Sequence, residues 1–364
     1  MSTSAALLEK AIDRVAAAAS PGDPAAVQAH LDALTKPPGS LGRLEAIALQ
    51  VGCVLGDPPP SLDSAVVFVF AADHGVAARG VSAYPAEVTA QMCANFSGGG
   101  AAINVLARRC GAEVRVVDVG VAADVAGLDG IEHRKVRGGT RDLSVGPAMT
   151  ADEVMAAVAV GAEVAGNADP WIVGVGEMGI ANTTAAAAVA ACLTGTSAHE
   201  VVGRGTGVDD RGLAHKREVV RRGVARVVRL EDPRDDALEV LRQVGGLEIA
   251  AMAGAMIGAA ARGALVLVDG FISSSAALAA CRLCAALPPY LVASHRSTEP
   301  GHEAVLDALG LVPLLDLEMR LGEGTGCALA IPVVRAAGAL LADMATFQSA
   351  GISGPGGNVP ERPP

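Results

Sequence analysis

The sequence predicts an α/β protein: a doubly wound, mostly parallel sheet with flanking helices, plus a smaller helical domain built from the N- and C-terminal segments. Three observations predict it. Short β-branched runs, apolar on both faces, recur along the chain; Ala-rich segments of helical period separate most of them; and the two ends read as helices with no strand between them.

Taken in order, residues 1 to about 55 read as helical, with KPPGS from Lys36 a loop and GDPPPS from Gly56 the next break. The strand candidates are AVVFVFAAD from Ala65, VRVVDVG from Val114, WIVGVGE from Trp171, EVVGRG from Glu200, ALVLVDG from Ala264, YLVASH from Tyr290 and VPLLDL from Val312. ADEVMAAVAVGAEVAG, NTTAAAAVAACL and SSSAALAACRLCAAL carry the helical period between them. Helix resumes from about residue 327. The expected organisation is a Rossmann-like α/β catalytic domain at 56–326 and a small helical domain of 1–55 with 327–350. The Pro- and Gly-rich tail, 351–364, is expected to be disordered.

Composition narrows the function. The 364 residues are 51% hydrophobic and 18% charged, so the chain can bury a sizeable core and is not a disordered one. A net charge of -11 and an aromatic content of 2% argue against nucleic acid, which needs a basic surface and stacking rings. Seven scattered cysteines and an opening without a basic, apolar signal segment predict a reduced, cytoplasmic protein. Cys281 and Cys284 form a CxxC, but within a helical pattern and with no second pair, which favours packing over metal or redox use. The most membrane-like stretch, residues 247–270, is interrupted by Glu248 and Arg262 and reads as a buried helix followed by a buried strand, so no membrane is expected as a partner.

In open parallel sheets the ligand crevice lies beyond the carboxyl ends of the strands. Here those ends are polar: Asp73 and His74, Asp118, Glu177, Asp269, then Ser294, His295 and Arg296. Together they predict a functional cleft. Gly174, Gly176 and Gly179 match GxGxxG between a strand and a helix, and Glu200 follows at roughly the distance of a ribose-binding acid. Taken alone, this suggests NAD and keeps two alternatives open, an NAD-dependent dehydrogenase and a non-catalytic nucleotide sensor. Asn182, Thr183 and Thr184 open the following helix and add side-chain donors to its N-terminal N–H groups, which suits a terminal phosphate equally well. The loop GRGTGVDDRGLAHK from Gly203 permits close backbone approach, and Lys216 can meet a phosphate or carboxylate as a point charge. Glu323 stands between Gly322 and Gly324 on a turn expected to join an apolar strand to a helix. A carboxylate there contributes little to stability but is well placed as a general base, and partial burial should raise its pKa.

Eight motifs in order resemble one family, the nicotinate-nucleotide dimethylbenzimidazole phosphoribosyltransferases of cobalamin biosynthesis, over nearly the whole chain. They are KPPGSLGRLE, ADHGVAARGVSAYPAEVTAQM, GEMGIANTTAAAA, VGRGTGVDDRGLAHK, VGGLEIAAMAGAM, LVDGFISSSAALAA, SHRSTEPGH and MRLGEGTG. The resemblance implies transfer of phosphoribose from nicotinate mononucleotide to 5,6-dimethylbenzimidazole, giving α-ribazole 5'-phosphate and nicotinate, without metal or cofactor. It implies Glu323 as proton acceptor and Glu177 beside it. The NTT segment and Lys216 fall on the nucleotide side, with Gly176, Gly203, Ser294 and Gly322 also at the site. Ser82, Tyr84 and Met92 are implied in the base pocket, and a homodimer is implied as the working form. A mean hydropathy of +0.41 adds a weak physical reason for a partner surface.

Overall fold

AVVFVFAA forms the central strand, β1 (Ala65–Ala72), and all eight of its residues are buried, which requires cover on both faces. The structure is a computed structural model that describes residues 3–17, 22–227 and 236–354. The other strands are β2 (Glu113–Gly120), β3 (Ile131–His133), β4 (Ile172–Met178), β5 (Leu265–Val268) and β6 (Leu291–Ala293). All pair in parallel in the order β3-β2-β1-β4-β5-β6. The winding direction reverses between β1 and β4, the position at which such sheets bind ligands.

Before β1 come α1 (Thr3–Ala17), α2 (Pro24–Ala33) and α3 (Arg43–Leu55). Between β1 and β2 lie α4 (Val88–Ser97) and α5 (Ala102–Cys110), and α6 (Ala151–Gly166) leads into β4. Among the described residues five helices separate β4 from β5: α7 (Asn182–Thr194), α8 (Ala198–Val201), α9 (Asp210–Val227), α10 (Ala237–Val244) and α11 (Leu247–Ala260). Then follow α12 (Phe271–Leu283) between β5 and β6, and α13 (Gly301–Leu309), α14 (Thr325–Asp343) and α15 (Phe347–Ala350). Helix α14 packs on α3, on α5 and on β1, β4 and β5, whereas α1 packs on α6 and α11. The domain boundary expected at 326/327 therefore falls inside the first turn of α14. Of the tail, 355–364 lies outside the described residues.

Two expected strands do not form. Around Glu200 the chain makes the short helix α8, because Ser197 and Glu200 close a capping box at its start. VPLLDL runs beside the end of β6, where the Leu314 and Leu315 N–H groups donate to the Ala293 and Ser294 carbonyls. Pro313 has no N–H to extend a ladder, and a single bridge between His295 and Leu315 results. Glu323 consequently follows a loop rather than a strand. Strand β3 escaped notice because three residues reading Ile-Glu-His carry no apolar run.

The membrane-like stretch becomes α11, buried at every residue, followed by β5. Its glycines explain the Ala- and Gly-rich composition. A Cβ on Gly254 would collide with the Val158 carbonyl of α6, and one on Gly161 of α6 with the Ala251 carbonyl, so the two backbones touch. Among the described residues one helix, α14, is long and apolar enough to cross a membrane, and it packs on α3, α5 and the sheet.

Gly254→Ala is expected to force α6 and α11 apart and to cost about 1–3 kcal/mol, as overpacking does. Gly127→Ala, whose added carbon meets nothing within 4 Å, serves as the control with an unchanged urea midpoint. Equal midpoints for both variants would contradict this packing.

Candidate active site

β5 delivers Asp269 to the start of α14. Its Oδ1 accepts the N–H groups of Gly326 (2.7 Å) and Cys327 (3.2 Å), and its Oδ2 accepts that of Gly324 (3.1 Å). These are amides that a helix N-terminus leaves without intrahelical partners. The turn entering α14 runs through three left-handed residues: Gly322 at φ +91°, Glu323 at +62° and Gly324 at +82°. Glycine adopts this conformation freely; Glu323 does so at a cost.

Strand β4 makes room for that turn. A Cβ on Gly176 would collide with the Gly324 amide, one on Gly174 would lie 2.8 Å from Cys327 Cβ, and one on Gly179 would collide with the Ala72 carbonyl. The three glycines of GxGxxG are thus occupied by the approach of α14 and β1. They are not a dinucleotide cradle, and Glu200 is an exposed capping residue that accepts the Ser197 N–H. The NAD reading loses both of its supports.

Over the β1/β4 reversal lies a cavity of about 470 Å³. Seven of the expected site residues line it: Tyr84, Met92, Glu177, Asn182, Thr183, Gly322 and Glu323. Ser82 and Lys216 stand one contact behind the wall. The Ser82 hydroxyl is 3.0 Å from that of Thr206, which lines the cavity, and Lys216 Nζ donates to Thr183 Oγ1 at 2.8 Å. Gly176 lies beneath the Glu323 turn. Gly203, Thr184 and Ser294 are not brought to the cavity. Gly203 packs against Glu299 and Pro300, and Gly205 and Thr206 reach the cavity from its loop instead. The Thr184 hydroxyl is buried without a hydrogen-bond partner among the described residues, and the Ser294 hydroxyl donates to the Asp269 carbonyl at 3.2 Å.

Sequence reasoning missed Phe271, Ile272, Glu299 and Arg320, all of which line the cavity. Each sits inside a motif already noticed, but neither its polarity nor its spacing set it apart. The polar strand ends were also over-read. Asp73 accepts the Ala122 N–H (2.7 Å) and Asp118 those of Gly120 and Val121 (3.1 and 2.8 Å), which tie loops to the sheet, and His74 pairs with Glu248 (2.7 Å), which ties α11 to the end of β1. Glu177 and His295 are the strand-end groups that reach the cavity. Asp209 and Asp210 serve the start of α9, through the Gly212 N–H and Arg204 respectively.

The electrostatics separate the two carboxylates. Burial, then the charges of Asp269 and Glu248, push the Glu177 carboxyl well above the usual range, against the Asn182 amide that donates to its Oε2. Burial also raises Glu323 from the ordinary 4.5, opposed by the Ile103 N–H at 3.4 Å. Burial pushes Lys216 down to about 8, with Glu299 opposing. The cavity thus offers an apolar wall at Tyr84, Val88 and Met92, a carboxylate pair, and a cationic corner behind Thr183.

The chain is similar to known proteins in sequence and in fold. A family model described as phosphoribosyltransferase matches residues 18–352. A nicotinate-nucleotide–dimethylbenzimidazole phosphoribosyltransferase of Roseiflexus sp. (strain RS-1) is 54% identical over 91% of this chain and 94% of its own. The protein of that name from Desulforudis audaxviator is 49% identical over 95% and 98%. The crystal structure of CobT from Thermus thermophilus superposes with a TM-score of 0.87 at 48% identity, covering 91% of this chain and 98% of that one. Such identity, sustained across nearly the full length of each relative, means that the chain belongs to the nicotinate-nucleotide–dimethylbenzimidazole phosphoribosyltransferase family.

Proposed function

We propose that this chain transfers phosphoribose from nicotinate mononucleotide to 5,6-dimethylbenzimidazole, releasing nicotinate and forming α-ribazole 5'-phosphate, with Glu323 as general base. The observation that carries this reading is the pairing, at one cavity, of two buried carboxylates that are both raised, Glu177 well above the usual range and Glu323 with the Ile103 N–H opposing its shift. Burial and its acidic neighbours favour the neutral form of Glu177. Glu323 is the member left able to accept a proton.

The chemistry asks mainly for alignment. Nicotinate leaves readily from its quaternised glycosidic nitrogen, taking the bonding electron pair as C1' becomes electron poor. A benzimidazole nitrogen forms the new bond to C1' from the opposite face, which gives the α anomer. The second ring nitrogen then holds an acidic N–H, and the Glu323 carboxylate takes that proton. Tyr84, Val88 and Met92 supply flat and adaptable apolar contacts for the bicyclic ring. The Thr183 hydroxyl and the first turn of α7 receive the phosphate, with the Lys216 charge behind Thr183.

We propose further that two copies of the chain form the working enzyme. Tyr84 and Leu321, both in the cavity wall, are 55% and 57% exposed, an apolar rim that a second copy would cover.

Glu323→Gln is expected to lower kcat by about 100- to 10,000-fold with little change in mononucleotide affinity. The base acts deprotonated and its pKa is raised, so the wild-type rate is expected to fall, as pH decreases, at a pH above 4.5. A Gln variant within about threefold of wild type, far outside that range, would remove Glu323 from the role. Thr183→Val is expected to weaken nicotinate mononucleotide more than dimethylbenzimidazole in calorimetry. Thr184→Val, which deletes an unpartnered buried hydroxyl, should leave both affinities intact without loss of stability. Light scattering should give the mass of two chains at micromolar concentration; a monomer mass would contradict the dimer.

A further inference from the structure

Glu299 lies apart from the carboxylate pair, where the loop after α8 meets α7 and α9. It is 8% exposed; its Oε1 accepts the Gly205 N–H at 3.0 Å, and its buried Oε2 has no hydrogen-bond partner among the described residues. Gly205 is left-handed, at φ +53°, and a Cβ there would lie 2.7 Å from Thr183 Oγ1 and 2.8 Å from Lys216 Nζ. The loop therefore comes up against that pair at the residue whose amide Glu299 holds. Arg320 Nη1 donates to the Gly205 carbonyl at 3.1 Å, fixing the next peptide.

The turn that presents Glu299 is itself fixed. The Ser297 N–H donates to His302 Nδ1 at 2.8 Å, which makes Nδ1 the unprotonated nitrogen and leaves Nε2–H to donate to Ser274 Oγ at 3.0 Å. Burial pushes His302 down to about 3, so the ring stays neutral and this tautomer persists through the working range. Glu299 is held in place by groups that do not titrate near neutrality.

We infer that Glu299 is a positioning residue for the anionic end of the site: it holds the Gly205 peptide against Thr183 and Lys216, and it is the counter-charge for the buried Lys216 ammonium. Lys216 is 1% exposed, and a cation so placed loses its proton unless a negative charge opposes the desolvation. Burial already brings it down to about 8, and Glu299 is the charge that acts against further loss. The inference rests on the reading that Lys216 serves the phosphate of the mononucleotide.

The test is calorimetric binding of nicotinate mononucleotide to the full chain as a function of pH, with kcat and KM measured alongside. In wild type, affinity is expected to fall as pH rises through about 8, because only protonated Lys216 attracts the phosphate. Glu299→Gln keeps the shape and an acceptor for Gly205 but removes the charge. The fall should then move to lower pH, giving an affinity loss at pH 8 of about fivefold for the first unit of displacement and about tenfold for each further unit, with little loss near pH 6. The effect should appear in KM for the mononucleotide and not in kcat. Glu299→Asp restores the charge and should return the fall to its wild-type position; it also carries the test if the Gln variant does not fold. Unchanged affinity and pH dependence in Glu299→Gln would overturn the inference, as would a loss that is equal at both pH values and not reversed by Asp. Lys216→Ala separates the two claims: if it leaves mononucleotide affinity intact, the placement of the phosphate fails, whatever the Glu299 variants do.

Discussion

The site depends on one buried carboxylate that does not line its cavity. Asp269 gathers the N–H groups of Gly324, Gly326 and Cys327, and in doing so closes the N-terminus of α14 against the end of β5. Helix N-termini normally find such an acceptor in their own capping residue, but here that residue is Gly324, which has no side chain to offer. The cap is supplied from another element. Helix and sheet are thereby locked together at the residue next to Glu323, and the strained turn inherits its position from the sheet.

The same arrangement sets the charges. Asp269, Glu177, Glu248 and Glu323 are all buried near the carboxyl edge of the sheet; Asp269, Glu248 and Glu323 disfavour ionisation of Glu177, and Asp269 that of Glu323. Buried charges persist only when paired or hydrogen-bonded. Asp269 is met by three amides and by His295, and Glu248 by His74 at 2.7 Å; Glu177 has the Asn182 amide alone and is driven toward its neutral form. Stability and chemistry divide the acids between them: Asp269 and Glu248, each bound to groups of another element, hold the frame, and Glu177 and Glu323 border the cavity.

This division explains how far the sequence could be read. Strands β1, β2, β4, β5 and β6 were visible because a strand covered on both faces is written as an unbroken apolar run, and the Glu323 turn because Gly-Glu-Gly is a rare spelling. The uses of the polar residues were much less visible. Asp73 and Asp269 occupy equivalent strand ends, as Glu177 does, yet only Glu177 opens onto the cavity; the difference lies in which loop amides arrive, and loops from distant parts of the chain decide that. The glycines of GxGxxG misled for a related reason. Glycine permits close approach without stating what approaches, and here it is α14 and the end of β1 in place of a phosphate.

The two ends of the cavity are also mechanically joined. Arg320 leaves the segment that leads into Glu323 and bonds the Gly205 carbonyl, while Thr206, the next residue, accepts the Ala83 N–H at 2.9 Å beside Tyr84. A single short loop therefore touches the Thr183–Lys216 corner, the apolar wall and the approach to Glu323. Transfer between two bound molecules requires their reacting atoms to be aligned to within a fraction of an ångström, and independent subsites would have to be brought into register by chance motion. Connecting all three through the peptides of Gly205 and Thr206 makes the geometry of one subsite a condition on the others. The Gly-rich spelling of that loop is then a requirement of packing among three walls, with its left-handed Gly205 at the point where they converge.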